Sequence, residues 1–288
     1  MTFNMSNIKS ELYLVATPIG NLDDMTFRAV KVLKEVDFIA AEDTRHTRKL
    51  LTHFDIHTPL IRYDENNKDI AGAQIIDHLK SGESAACVSD AGLPAISDPG
   101  VDLVKLAIEA NIKVVPIPGA NAALSALICS GLDTTAFTFV GFLPKTAKKC
   151  REVLERLKSH EETLIFYEAP HHLKATLKTL FDVFGNREAV IARELTKIHE
   201  EFIRGELSEL INKFNDNEPR GEFVIVIAGS DIKSAENIEN VNTNLMDIYK
   251  GFIAEGLDKK SAMRETAKRL NISRREVYQA VLNEEIGD

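Results

Sequence analysis

The 288-residue chain has no tryptophan and only three cysteines, Cys87, Cys129 and Cys150. Their spacing is unpaired, which excludes a disulfide framework and a zinc motif. Among the eight histidines, His171 and His172 are adjacent, and sequence neighbours do not share a helix face as a metal pair would. Residues 1–10 are polar and hold no apolar signal core. No uninterrupted apolar run approaches the roughly 20 residues of a membrane span, so the expected compartment is the cytoplasm. There is no Walker pattern and no complete G-x-G-x-x-G. No repeat of fixed period and no low-complexity segment occurs. Lysine and arginine are missing altogether from Val114 to Pro144.

What is there reads as a globular protein, with 44% hydrophobic and 27% charged residues. The length suits two domains and a small third. The net charge of −9 argues against indiscriminate coating of nucleic acid and leaves room for a local basic face.

Short apolar runs alternate with helical patterns over the first part of the chain. Strands are expected at Leu12–Ala16, Phe38–Ala41, Leu60–Tyr63, Ala85–Val88 and Lys113–Val115. The intervening helices bury Phe27, Val30 and Leu33, then residues of Arg45–Phe54, then Ile70, Ile75, Ile76 and Leu79, then residues of Val101–Ile108. This alternation implies a parallel sheet with right-handed crossovers. Pro116-Ile117-Pro118-Gly119-Ala120-Asn121 reads as a hinge. A second α/β unit follows. Its helix Ala122–Cys129 is apolar, and Cys129, like Cys87, is expected in the core. Its strands are expected at Phe137–Val140, Thr163–Tyr167, Ala189–Ala192 and Glu222–Ala228, with helices at Lys145–Ser159 and His171–Phe184. The last strand is apolar throughout, as one covered on both faces would be. Residues 230–242 are polar and read as a linker. The tail turns helical, with Leu245, Ile248, Phe252 and Ile253 on one stripe ended by Gly256, then Lys259–Leu270. A third tail helix is capped by Ser273 and Glu276, with Val277, Val281 and Leu282 inward. The last two resemble a helix-turn-helix. The expected division is 1–118, 119–230 and 231–288.

The longest strand-end loop is Ser89–Gly100, placed where open α/β sheets bind ligands. It holds two acids, Asp90 and Asp98, and no base. Thr17–Asp24 and Pro116–Asn121 also lack bases. A pyrophosphate would favour basic residues or a glycine-rich helix start. Acids suit a ligand with hydroxyls, an ammonium and a sulfonium, and S-adenosylmethionine carries all three with no phosphate. Asp98 reads as the cap of the helix that opens at Pro99. Asp90 is not needed for that helix and reads as a ligand contact.

Six ordered segments resemble those of the ribosomal RNA small subunit methyltransferase I family, in the tetrapyrrole methylase superfamily. They are Ala16–Leu22, Ala41–Arg45, Ser89–Gly100, Pro116–Ala122, Phe166–Pro170 and Ala192–Lys197. The resemblance implies two α/β domains of the tetrapyrrole methylase type with a small C-terminal helical, helix-turn-helix-like domain. It implies S-adenosylmethionine-dependent 2'-O-methylation of a cytidine ribose in small-subunit rRNA, naked or in the assembled subunit, by a homodimer. Carried over by position, cofactor contacts come from Pro18, Ile19, Asp90, Leu93, Asn121, Ala122 and Glu168. The first loop, Pro18-Ile19-Gly20-Asn21, departs from the glycine-richer, Asp-ended loop of the porphyrin branch, which points toward RNA.

Methyl transfer to a hydroxyl gains from positioning and from a base that takes the proton. The candidates for that base are Glu42, Asp43, Glu194 and Lys197; a lysine would need a lowered pKa. Glu42 and Asp43 also suit capping of the helix at Arg45. Arg193 could hold a phosphate or pair with an acid. Basic clusters at Arg45, Arg48 and Lys49, at Lys145, Lys148, Lys149 and Arg151, and in the tail at Lys259, Lys260, Arg264, Lys268, Arg269, Arg274 and Arg275 suit phosphate contacts. Two rival readings are a C-methyltransferase of a porphyrin-like small molecule and a ligand-sensing DNA-binding regulator.

Overall fold

The computed structural model describes residues 10–215, 218–230, 245–270, 277–278 and 281–282. Two compact units are present, Met1–Gly229 and Ser230–Asp288.

The first unit holds two five-stranded sheets. The first sheet uses β1 (Glu11–Val15), β2 (Phe38–Ala41), β3 (Leu60–Arg62), β4 (Ala85–Val88) and β5 (Lys113–Ile117), in the order β3-β2-β4-β1-β5. All its pairings are parallel. The carboxyl ends of all five strands therefore lie along one edge, and the loops that follow them converge there. β2 and β4 are buried at every position, as strands covered on both faces must be. One face packs on α1 (Phe27–Glu35) and α2 (Thr44–His53), the other on α3 (Lys68–Lys80) and α4 (Gly100–Glu109).

The second sheet uses β6 (Phe137–Phe142), β7 (Thr163–Glu168), β8 (Glu188–Arg193), β9 (Glu201–Glu206) and β10 (Phe223–Ile227), in the order β6-β7-β10-β8-β9. β6 and β7 are parallel, and β10 runs antiparallel to both β7 and β8. Phe223 at the start of β10 therefore lies opposite both Glu168 and Arg193, at the ends of β7 and β8. A second set of strand ends is thereby gathered on one edge. α5 (Ala122–Ser130) packs on one face, where Ala123 and Ala126 allow close approach. α6 (Ala147–Leu157), α7 (Leu173–Phe184) and α8 (Leu207–Asn215) cover the other.

Several expectations shift. Phe27 and Ile70 are 98% and 71% exposed, and the stripes instead use Ala29, Val32 and Leu33, and Ala71, Ile75, Ile76 and Leu79. Cys129 is exposed, because the buried stripe of α5 is Ala123, Ala126, Leu127 and Ser130. Pro116 and Ile117 belong to β5 rather than to a hinge; β5 is an edge strand, where a residue without N–H is tolerated. β6 continues through Gly141 and Phe142. β9 and α8 have no counterpart in the periodicity reading: β9 is a sheet-edge strand whose sequence, Glu-Phe-Ile-Arg-Gly-Glu, has neither an apolar run nor a regular alternation.

In the second unit, residues 245–254 form helix α9 and Lys259–Leu270 form α10. Leu245, Tyr249, Ala262, Ala267, Val277 and Val281 make a small core of their own. Tyr249 takes the place expected for Ile253, which is 38% exposed, as is Leu282. Ser273, Arg274, Arg275 and Glu276 lie outside the described residues, as do residues 231–242 of the expected linker. Among the described residues no helix is long and apolar enough to cross a membrane.

Candidate active site

Within the first unit, the strand ends of both sheets line a cavity of about 520 Å³. That is ordinary for a small-molecule site, roughly 300–1,000 Å³. Among the described residues, five carboxylates line it, Glu42, Asp90, Asp98, Glu168 and Glu222, and no lysine, arginine or histidine does.

The first wall is the loop after β4. Gly92 and Thr17 exchange backbone hydrogen bonds of 3.0 and 2.9 Å, tying this loop to the one after β1. Gly92 sits at φ +79°, which a side chain would strain, and a Cβ there would lie 3.3 Å from Ile19. Ala95 and Ser97 also adopt positive φ, +66° and +65°. Asp98 holds this contorted segment: its Oδ1 accepts from the Ala95 N–H at 2.9 Å and the Gly100 N–H at 2.7 Å. The helix opens at Gly100 with Pro99 in the cap position, so Asp98 serves the loop as much as the helix. Its Oδ2 is buried without a hydrogen-bond partner among the described residues. A donor from a bound ligand would satisfy it.

Asp90 Oδ1 accepts from the Asp43 N–H at 3.1 Å, joining the ends of β4 and β2. Asp43 itself caps α2, its Oδ1 accepting from the N–H groups of Arg45 and His46 at 2.8 and 3.4 Å. The hydrogen bond from the Arg45 N–H is the main reason its carboxyl is held below the usual range. Glu42 is different. Burial, then the charges of Asp90, Asp98 and Asp64, push its pKa up. A carboxylate raised in this way, in a cavity wall, suits proton abstraction.

The second wall comes from the other sheet. Glu168 is buried, with Oε1 accepting from the Ala169 N–H at 2.8 Å and Oε2 from the Thr176 hydroxyl at 2.5 Å. Asn121 caps α5 through the Leu124 N–H at 2.8 Å. At the rim, Lys197 Nζ bridges Glu194 at 2.8 Å and Glu222 at 3.0 Å. Burial pulls the Lys197 pKa down, but the hydrogen bonds to Glu194 and Glu222 outweigh it and the net shift is upward. Glu194 is lowered, chiefly by the Lys197 hydrogen bond. Gly20 lets the first loop meet this clamp, since a Cβ there would lie 2.5 Å from Lys197 Cγ.

Of the expected cofactor contacts, Ile19, Asp90, Leu93, Asn121, Ala122 and Glu168 line the cavity, and Pro18 is not in its wall. Of the expected catalytic residues only Glu42 does. Arg193 lines a separate groove with Glu201 and Arg220, because successive strand residues point to opposite faces and Ala192 takes the cavity side. Its Nε donates to the Arg220 carbonyl at 2.8 Å. Lys197 is held charged, the reverse of what a base needs. Glu222 and Phe142 also line the cavity and lie outside the six segments, while Tyr167 lies within Phe166–Pro170 with no role expected of it. Their signal is weak in sequence, since each lies at a strand end whose pairing only the fold supplies.

The model of the tetrapyrrole (corrin/porphyrin) methylases matches residues 11–211. This chain belongs to the tetrapyrrole methylase family. It is a methyltransferase, and S-adenosylmethionine is the methyl donor of the family. It is 49% identical over 282 residues to "Ribosomal RNA small subunit methyltransferase I" of Bacillus subtilis (strain 168), covering 97% of each chain. Proteins of the same name from Halalkalibacterium halodurans and Synechocystis are 48% and 49% identical, over 96% and 94% of this chain and 96% and 97% of theirs. Two solved tetrapyrrole methylases share the fold. Uroporphyrin-III-C-methyltransferase from Thermus thermophilus has TM-score 0.54 and 19% identity, over 75% of this chain and 94% of that one. A cobalt precorrin-4 methyltransferase has TM-score 0.56 and 15% identity, over 76% and 95%.

Proposed function

We propose that this methyltransferase modifies the 2'-hydroxyl of a cytidine ribose in small-subunit ribosomal RNA. The observation that carries the donor side is the cavity wall of five carboxylates without a cation. It suits a ligand that is positively charged and free of phosphate. The relatives' names support the acceptor. Ile19, Asp90, Leu93, Asn121 and Ala122 are the residues that would hold the donor, with Pro18 next to Ile19 in the first loop. Glu168 lines the same wall and would face the donor too, while its hydrogen bonds with Ala169 and Thr176 keep the β7 end in shape. When bound, the donor supplies a methyl carbon activated by its sulfonium. Glu42 would take the proton that the 2'-hydroxyl loses, the methyl passing from the donor's sulfur to the 2'-oxygen and the sulfur leaving as a neutral thioether. Asp43 and Asp90 position Glu42 by fixing the β2 end. The clamp of Glu194, Lys197 and Glu222 holds the rim.

The acceptor needs phosphate contacts despite the net negative charge. Arg45, Arg48 and Lys49 are exposed on α2, which starts at the cavity wall. Lys148, Lys149 and Arg151 are exposed on α6, with Lys145 just before it. In the tail Lys260, Arg264 and Lys268 fall at i, i+4 and i+8 along one ridge of α10, and all three are exposed. This reading divides the chain into α/β domains at 1–118 and 119–230 and an RNA-binding tail at 231–288. It places the protein in the cytoplasm. It also takes the protein to be a homodimer; Leu124 and Ile128, 46% and 74% exposed on α5, are an apolar face available for that contact. Sedimentation at the mass of a single copy would remove the dimer.

The test is transfer of a labelled methyl from S-adenosylmethionine to small subunits, to naked small-subunit RNA and to a porphyrin precursor. Label on an rRNA ribose is the expected result. Label on the tetrapyrrole, or none at all, would overturn the proposal. Asp90→Ala is expected to weaken donor binding measured by calorimetry, and an unchanged affinity would take Asp90 out of the site. Removing residues 240–288 is expected to spare donor affinity and weaken RNA binding; equal RNA affinity would contradict the tail's role.

A further inference from the structure

We infer that Phe142 is the platform on which the base of the methylated nucleotide stacks, with Lys145, Lys148 and Lys149 holding the adjoining phosphates. This rests on the acceptor proposed above.

The pairing of β6 with β7 breaks register between Phe139 and Gly141. Phe139 lies opposite Ile165, and Phe142 lies opposite Tyr167. Ile165 and Tyr167 are two apart and share a sheet face. Phe139 and Phe142 are three apart and would face opposite ways on a regular strand. The extra residue brings both to the Tyr167 side, and re-aiming of a side chain is a common use of a bulge beside a functional site. Gly141, at φ +74°, accommodates the turn, and a Cβ there would lie 3.2 Å from Ser97 Oγ.

The result is a propped ring. Phe142 meets Tyr167 at 5.5 Å between centroids and 62° between planes, and Tyr167 meets Phe139 at 5.0 Å and 69°. Phe142 lines the cavity and remains 60% exposed. A lone exposed aromatic would carry no meaning. This one stands in a cavity wall three residues before the first of three exposed lysines. Lys145, Lys148 and Lys149 make no ion pair among the described residues. They surround the start of α6, whose N-cap Thr146 makes no side-chain hydrogen bond to the helix. An aromatic face beside free cations is how single-stranded nucleic acid is held. The adenine of the donor is the competing occupant. It brings no phosphate, so it leaves the three lysines without purpose.

Phe142→Ala is expected to lower kcat/KM for small-subunit RNA by about 5- to 150-fold, the range for loss of one base–aromatic stack. Donor affinity by calorimetry should stay the same, and Phe142→Trp should restore activity. Because the chain has no tryptophan, Phe142→Trp also places a single indole at the site, which can be excited selectively over the five tyrosines. Its emission should be quenched by small-subunit RNA and not by S-adenosylmethionine alone. Unchanged kcat/KM in Phe142→Ala, or quenching by the donor and not by RNA, would overturn the assignment. If the unaltered protein labels RNA while either of those results is found, only this inference falls. If the unaltered protein labels no RNA, the proposed function falls with it.

Discussion

Glu42→Gln is expected to slow methyl transfer by about 10²- to 10⁴-fold, the usual contribution of a positioned base. The amide keeps the size of the side chain and cannot take the proton. Donor affinity should fall far less than the rate, because four other carboxylates still line the cavity and the main loss is in the chemical step. The pH dependence gives a second reading. Burial and the charges of Asp90, Asp98 and Asp64 raise the Glu42 pKa, and only the ionised form is a base. Activity is therefore present above that raised pKa and is lost as pH falls through it. Glu42→Gln should abolish this acid limb. Single-turnover rates across pH check both points. A limb that survives in Glu42→Gln would assign the proton transfer elsewhere.

Asp98→Ala is expected to damage both stability and the site. It removes the acceptor of two backbone N–H bonds that hold Ala95 and Ser97 in left-handed conformations. Hydrogen bonds to a charged group are worth about 1.5–3 kcal/mol each, and water can replace part of that, so a net loss of about 3 kcal/mol is expected. For a protein of this size that lowers Tm by about 6–12 °C. Donor binding should weaken as well, since the loop is one wall of the cavity. Asp98→Asn separates the two effects. It retains a carbonyl oxygen for the loop, so Tm should fall less. It removes a negative charge near Glu42, so the acid limb of the rate profile should move to lower pH. Thermal unfolding and the pH profile of the two variants check these outcomes together. An acid limb that does not move in Asp98→Asn would show that this charge does not reach Glu42.

Much of this was legible in the order of residue types. The alternation of apolar runs and helical stripes carries the parallel first sheet, because a strand buried on both faces must be apolar throughout, as Phe38–Ala41 and Ala85–Val88 are. The acid-bearing, base-free loops carry the charge of the ligand. Such features are local, and local chemistry is written in the sequence. The strand ends that only come together in three dimensions were not legible. Arg193 and Ala192 are neighbours, yet the pleat sends one away from the cavity and the other into its wall. Lys197 could be weighed as a base until Glu222, 25 residues away, closed a salt bridge on it. Phe142 reads as a loop residue until one bulge, defined only by pairing with β7, turns its ring into the site. Residue type is decided along the chain. Which face a side chain meets, and which charge stands opposite it, is decided by register and by contacts between distant segments, and these depend on the whole packed structure.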